Sequence, residues 1–457
     1  MQVTSKTLPN HLRTILVDTG GAESATVLLL VGSGSRYENA KNSGIAHFFE
    51  HMAFKGSAKY PDSFTISSTI EGMGGVFNAF TSKDHTGYWI KGTADKVPLM
   101  LDVLADMVTA SKLDQIEIDK EKGVIVEEMH MYEDMPQAKV SNIYDELLYG
   151  SHPLGMDIIG TQKTVKSFDR QDFVNYIHKL YDPDNAVLVI AGGIASTQKV
   201  IEHNIAQTFG KWKPAQKASK DYSYIQYVST TSPKTNVEGQ KSTVTSQDVI
   251  PDKRSAIRDL HRKSVFTKKT EQAHFILGYT TPYGFMDEEK YSLGLLAAIL
   301  GGGMSSRLFM EIREKRGLCY YVNTSRDMYA ETGSLVTSAG VRCDKDTVNE
   351  AIKLIIAEHH KLVDGNKIKK ELQTELDRVK TMSKGRLLLS LEDSQSVAGM
   401  YGNKMLLEKK MANVDEAIEK MLSVTVENII DQAQKIILPE NLRLAIVGPF
   451  AQEDICI

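Results

Sequence analysis

His47-Phe48-Phe49-Glu50-His51 sets two imidazoles four residues apart with a carboxylate between them. In a helix, positions i and i+4 fall almost above one another, because each residue advances the turn by roughly 100°. The stretch 43–55 holds few helix breakers beyond Gly44 and reads as helical, so His47 and His51 present two nitrogens to one ion. Glu50 lies near the same face, close enough to hold a metal-bound water without being a ligand itself. Phe48, Phe49, Met52 and Phe54 cover the rest of the helix, as expected of an element packed in a core. The order H-x-x-E-H inverts the commoner H-E-x-x-H arrangement.

A zinc site of this kind has three protein ligands and one open position, so two histidines are one ligand short. The acidic stretch 114–134 is the best supplier. Glu121, Val124, Ile125 and Glu128 share a helical face at offsets of three, four and seven, and that face is expected to pack inward. Buried carboxylates are costly unless they are paired or bind a metal. Glu128 would complete the site, and Glu121 would brace a ligand. Glu127 points about 100° away, and periodicity alone does not choose between it and Glu128.

With these residues in place, the chain resembles the pitrilysin, insulinase and mitochondrial processing peptidase family of inverted-motif zinc proteases. Gly44-Ile45-Ala46 before the motif and Phe54-Lys55-Gly56 after it match that family as well. The family has its third ligand, a glutamate, at a characteristic distance beyond the second histidine, and another acid seven positions before that ligand. Glu128 stands at that distance from His51, with positions 52–127 between them, and Glu121 precedes Glu128 by seven. The resemblance therefore picks Glu128 as the third ligand, beside His47 and His51, and Glu121 as the supporting acid.

On either side of the motif, the first half of the chain mixes strands and helices. Strands are expected over 13–18 and 25–31, then the motif helix and a second helix near 64–71. An antiparallel pair follows over 74–80 and 85–90, joined by the turn-rich Thr81-Ser82-Lys83-Asp84. Helices over 96–111, 114–134 and 138–149 precede a strand over 185–191. Antiparallel strands with helices in blocks mean α+β. The second half echoes the first, with an opening strand over 274–279 and a helix over 291–300. Pro439-Glu440-Asn441-Leu442-Arg443-Leu444-Ala445-Ile446-Val447-Gly448 parallels Pro183-Asp184-Asn185-Ala186-Val187-Leu188-Val189-Ile190-Ala191-Gly192 of the first half. The expected architecture is two tandem homologous domains, each a mostly antiparallel sheet covered by helices. The boundaries are 1–212 for the metal-binding domain, 213–265 for a polar linker or insertion, and 266–457 for a copy without H-x-x-E-H.

The resemblance implies more about that copy. Gly301-Gly302-Gly303 lacks the Gly-Lys-Ser/Thr ending of a phosphate loop, whereas the family carries a Gly-rich stretch here, followed by an arginine and, seven positions on, a tyrosine. Arg313 and Tyr320 match, with Tyr321 adjacent. In the family the pair reaches the substrate near the scissile bond, where the tyrosine stabilises the oxyanion. Asn78 and Ala79 fall on the strand to which substrate adds as an extra strand. The implied mechanism is zinc-assisted peptide hydrolysis with Glu50 as general base, one Zn2+ per chain, in a chamber of which this chain forms one half. A homodimer is the simplest assembly, with the zinc from one subunit and the Arg/Tyr pair from the other. A heterodimer with a zinc-less homologous partner also fits. The alternative function is a structural or peptide-binding subunit without turnover of its own, although the ligand and base positions are intact here.

Composition is that of an ordinary globular protein. Hydrophobic content is 42% and charged content 25%, ordinary for a folded soluble domain. A net charge of −4 supplies no attraction for nucleic acid. No apolar run approaches a membrane span, and the N-terminus lacks a signal-peptide pattern. Three widely spaced cysteines, Cys319, Cys343 and Cys456, argue against a disulfide framework, so a cytoplasmic location is expected. His11, His178, His203, His359 and His360 show no partner pattern and are expected at the surface.

Overall fold

In Ser24–Val31 every residue but the first is buried, and Ala186–Gly192 is buried throughout. Continuous burial of this kind belongs to strands covered on both faces. They occupy the middle of a six-stranded sheet in a computed structural model that describes residues 1–214 and 262–457. The first half runs β1 (Gln2–Thr7), β2 (Arg13–Asp18), β3 (Ser24–Val31), α1 (Ile45–Ala53), α2 (Ser63–Gly72), β4 (Val76–Thr81) and β5 (Thr86–Thr93). It continues with α3 (Val97–Thr109), α4 (Gln115–Asp134), α5 (Pro136–Tyr149), α6 (Gln162–Ser167), α7 (Arg170–Leu180), β6 (Ala186–Gly192) and α8 (Gln198–Gln207). The sheet order is β1-β2-β6-β3-β5-β4, antiparallel except for β2–β6.

The second half repeats this plan with β7 (Lys263–Thr267), β8 (Gln272–Thr281), α9 (Glu289–Gly301), a π-helical turn (Phe309–Glu314), β9 (Cys319–Met328) and β10 (Gly333–Arg342). Then come α10 (Lys345–Val363), α11 (Lys369–Ser390), α12 (Ser394–Glu408), α13 (Val414–Ser423), α14 (Val426–Ile436) and β11 (Leu442–Gly448). Its sheet order is β7-β11-β8-β10-β9, and β7–β11 is again the parallel pair. With β1 set aside, the two orders coincide strand for strand. The expected α+β duplication is therefore present as two sheets of the same topology. The segment 213–265 lies mostly outside the described residues, and its end begins β7.

Each unit packs most of its helices on one face of its own sheet. The opposite faces are covered reciprocally. From the second half, α12 lays Val397, Ala398, Tyr401 and Leu406 on Ile15, Leu28, Leu30, Val187 and Val189 of the first sheet. From the first half, α5 lays Val140, Tyr144 and Leu148 on Ile276, Val336, Ala445 and Val447 of the second. A side chain at Gly402 would put its Cβ 2.7 Å from Leu30 Cδ1, so the missing side chain lets α12 lie close to the sheet. A buried ion cluster adds to the join. Arg36 donates to Asp84, in the β4–β5 turn, at 2.5 Å, and to both oxygens of Glu331, in the β9–β10 turn, at 2.6 Å. Among the described residues, no helix is long and apolar enough to cross a membrane.

Two expectations about burial need correction. Val124 is 51% exposed, because the buried stripe of α4 follows Ile118, Glu121, Ile125 and Met129, and Val124 turns about 100° from Ile125. His359 is fully buried rather than at the surface: its ring meets the Thr337 hydroxyl at 3.1 Å and the Tyr279 hydroxyl at 3.4 Å. A histidine with two hydroxyl partners can be buried neutral, and burial pushes its pKa down to about 3. His11, His178, His203 and His360 are exposed.

Candidate metal centre

Helix α1 buries Ile45, Ala46, Phe48, Phe49, Met52 and Ala53, which leaves His47, Glu50 and His51 on its one remaining face. Its start is fixed from outside the helix. Gly44 has a left-handed φ of 93° and no side chain to cap with, and a Cβ there would lie 2.5 Å from the Ile159 carbonyl. The cap comes instead from Glu38, 3% exposed, whose carboxylate accepts from Gly44 N at 2.7 Å and Ala46 N at 2.8 Å. A carboxylate bonded to free N–H groups at a helix N-terminus satisfies donors that have no partner within the helix.

Helix α4 crosses α1 and brings Glu121 and Glu128 to that face. His47 Nε2 stands 3.7 Å, and His51 Nε2 3.5 Å, from Glu128 Oε2. The three residues each offer a ligand atom, all within 4.8 Å of one another. Glu127, left open by helical periodicity, points outward with an 81% exposed side chain near His130. Donors at 2.0–2.1 Å around a tetrahedral zinc are separated by about 3.3 Å, close to the spacing here. These gaps are too wide for hydrogen bonds. Glu128 Oε2 is nonetheless buried without a hydrogen-bond partner, as is His47 Nδ1. A buried carboxylate oxygen facing two imidazole nitrogens, with no hydrogen bond to either, fits a shared cation. Burial, with His51 adjacent, pushes the His47 pKa down to about 3, so its imidazole is neutral and free to donate a lone pair.

Around this cluster stands a second layer. Glu121, 4% exposed, meets His51 Nδ1 with Oε1 at 2.9 Å and Lys55 Nζ with Oε2 at 2.5 Å. Burial alone would raise its pKa, but the hydrogen bonds from His51 and Lys55 hold it below the usual carboxylate value. Its charge favours a proton on Nδ1, which frees Nε2 to ligate. Glu50 accepts from the Thr81 hydroxyl through Oε2 at 2.6 Å. Burial raises its pKa, against the lowering effects of Thr81 and His51.

Of the remaining expected residues, Asn78 and Ala79 lie on edge strand β4, Tyr320 on edge strand β9, and Arg313 on the π-helical turn before β9. Asn78 is exposed on β4, and Ala79 is nearly buried opposite Tyr88. On the second unit, the Arg313 guanidinium lies 4.8 Å from the Phe309 ring centre and 5.5 Å from that of Tyr320. Tyr320 is 72% exposed on β9, whereas Tyr321 turns back to bond His274 Nδ1 at 3.0 Å. Among the described residues, no hydrogen bond or ion pair links Arg313 or Tyr320 to the histidine–glutamate cluster. Three further residues at the site escape a reading of the sequence: Thr81, Lys55 and Glu38. Lys55 carries a readable signal, lying four positions after His51. Thr81 extends the inward period of Phe77 and Ala79, although its neighbours suggest only a turn.

The family model described as Insulinase (Peptidase family M16) matches residues 13–162, and that described as Peptidase M16 inactive domain matches residues 167–382. The chain is 33% identical to the uncharacterized zinc protease YmxG of Bacillus subtilis, over 97% of each chain. It is 31% identical to an uncharacterized zinc protease of Streptomyces coelicolor, over 97% of this chain and 89% of that one. Its fold matches the crystal structure of a protease from Helicobacter pylori with a TM-score of 0.83. That likeness carries 24% identity and covers 98% of this chain and 99% of the other.

Proposed function

This chain belongs to the insulinase (M16) family of zinc metalloproteases, and from that premise we propose an endopeptidase that hydrolyses peptides or unfolded segments inside a closed chamber. The observation that carries the reading is the convergence of His47 Nε2, His51 Nε2 and the unpartnered Glu128 Oε2 beside Glu50. These three residues hold one zinc ion per chain, and Glu121 fixes the His51 ring for ligation. Zinc bound there supplies Lewis acidity, polarising a scissile carbonyl and acidifying a water. Glu50 is the general base. Thr81 occupies its Oε2, so the proton of the attacking water passes to Oε1 and from there to the leaving amine.

Substrate adds as a strand beside Asn78 and Ala79 on β4, a free sheet edge whose backbone pairing gives affinity with little sequence preference. Arg313 and Tyr320 of a second copy reach the scissile bond, where Tyr320 stabilises the oxyanion. The exposure of Tyr320 suits a role outside its own subunit. The assembly is a homodimer with two sites. Free Cys319, Cys343 and Cys456 suit a reducing compartment, and we place the enzyme in the cytoplasm.

The test is zinc content together with cleavage of a mixed peptide library, on wild type and Glu50→Gln. About one zinc per chain is expected in both, with cleavage reduced by about 10²- to 10⁴-fold in the variant. Undiminished cleavage by the variant would remove Glu50 from its role, and an absence of zinc would remove the reading altogether.

A further inference from the structure

Strand β4 alternates in exposure. Val76, Asn78 and Phe80 face outward, and Phe77, Ala79 and Thr81 face α1 and the sheet. Thr81 is the last residue of the strand, and among the described residues its hydroxyl is the only side-chain donor to Glu50. One oxygen of the carboxylate is thereby held and the other left open. The chain just beyond Thr81 is anchored. Ser82 O accepts from Ser35 N at 3.1 Å, and Lys83 O from Arg36 N at 3.0 Å. Asp84 is held by the buried Arg36, which also binds Glu331 of the second unit. Thr81 thus sits where a free sheet edge meets a fixed turn. A hydroxyl on such a frame holds its acceptor more tightly than one on a mobile loop.

We infer that Thr81 is a positioning residue for the general base, aiming Glu50 Oε1 at the attacking water and linking the substrate-binding edge to that carboxylate. The inference rests on Glu50 being the base. A peptide strand added along β4 pairs with the same strand that carries the Thr81 hydroxyl, so the bound backbone and Glu50 are set in register by one rigid element. Backbone pairing with substrate does not use the hydroxyl. Removing the hydroxyl therefore affects turnover rather than affinity.

The experiment compares Thr81→Val, Thr81→Ser and Glu50→Gln with wild type, using one peptide that wild type cleaves. It reads zinc content, melting temperature, kcat and KM. Valine keeps the branched shape suited to a strand and removes only the donor. Thr81→Val is expected to keep its zinc, with KM within about twofold of wild type and kcat lowered about 10- to 100-fold, the order of loss that follows when a catalytic group is no longer held in its productive orientation. Thr81→Ser, which keeps the hydroxyl, is expected to recover most of that kcat. Wild-type kcat in Thr81→Val, beside an inactive Glu50→Gln, would overturn the positioning role and leave the base assignment standing. A Thr81→Val enzyme that loses zinc, or whose KM rises while kcat holds, would overturn it in favour of a structural or binding role. An active Glu50→Gln would instead remove the base on which the inference stands.

Discussion

Glu121→Gln keeps the shape of a 4% exposed side chain and removes its charge, between a histidine at 2.9 Å and an ammonium at 2.5 Å. The amide can sit in two ways, and both are unfavourable. With its oxygen toward His51, its NH2 faces the Lys55 ammonium. With its oxygen toward Lys55, its NH2 meets His51 Nδ1 and stabilises the tautomer protonated at Nε2, which must be given up before that nitrogen can bind zinc. A hydrogen bond to a charged partner contributes about 1.5–3 kcal/mol, so zinc affinity is expected to fall about 10- to 100-fold. Competition with a chromophoric chelator at pH 7.5 measures it. Lys55→Met on its own is expected to change affinity less, since Lys55 is partly exposed. Added to Glu121→Gln, it frees the amide to offer its oxygen to His51, and part of the loss returns. An affinity within threefold of wild type for Glu121→Gln would refute the reasoning. So would a double variant weaker than the single one.

His359→Leu is expected to lower the melting temperature at pH 7.5, because the Thr337 and Tyr279 hydroxyls lose a partner in the core, about 1–3 kcal/mol. The variant should also flatten the acid side of the stability profile. The folded pKa of about 3 lies below the unfolded 6.5, so the unfolded chain takes up the proton first as pH falls. That histidine therefore removes up to about 1.4 kcal/mol per pH unit below pH 6.5 in wild type and nothing in the variant. Melting curves from pH 7.5 to 5 read both effects, and an equal acid slope in the two proteins would contradict the buried neutral ring. Arg36→Met leaves Asp84 and Glu331 buried without their cation and is expected to cost about 3–5 kcal/mol. Adding Asp84→Asn and Glu331→Gln should recover much of that in a thermal melt, and no recovery would mean that the loss is one of packing.

Much of the fold can be read because local signals and tertiary context agree. The strands expected over 13–18, 25–31 and 185–191 nearly coincide with those observed, since their apolar runs are buried on both faces. Strand β1 gives no such signal: all of its residues are exposed, so no hydrophobic period marks it. Strand β7 falls in a polar stretch and owes its place to parallel pairing with β11, which sets Lys263 beside Leu444 from the far end of the unit. At the site, residues on periodic helices are legible, as with the motif on α1 and Glu121 and Glu128 on α4, whereas those arriving from loops and strand ends are not. Glu38 reaches α1 across a loop and Thr81 across a sheet, and sequence spacing says nothing about such distances. The apolar residues of α5 and α12 require cover, but nothing in the sequence says that each helix covers the sheet of the other half.

That crossing bears on how a duplicated gene ages. After a duplication, a copy that has lost its metal motif is ordinarily free to diverge. Here the half without the histidine motif owns the lid of the other half's sheet: Val397, Tyr401 and Leu406 of α12, each contributing about 1.5–3 kcal/mol by burial. Erosion of the half without the motif would strip the metal-binding half, and loss of α5 would do the same in return. Two halves that hold each other's hydrophobic cover are inherited as a single unit, and each stays under selection for as long as the other works.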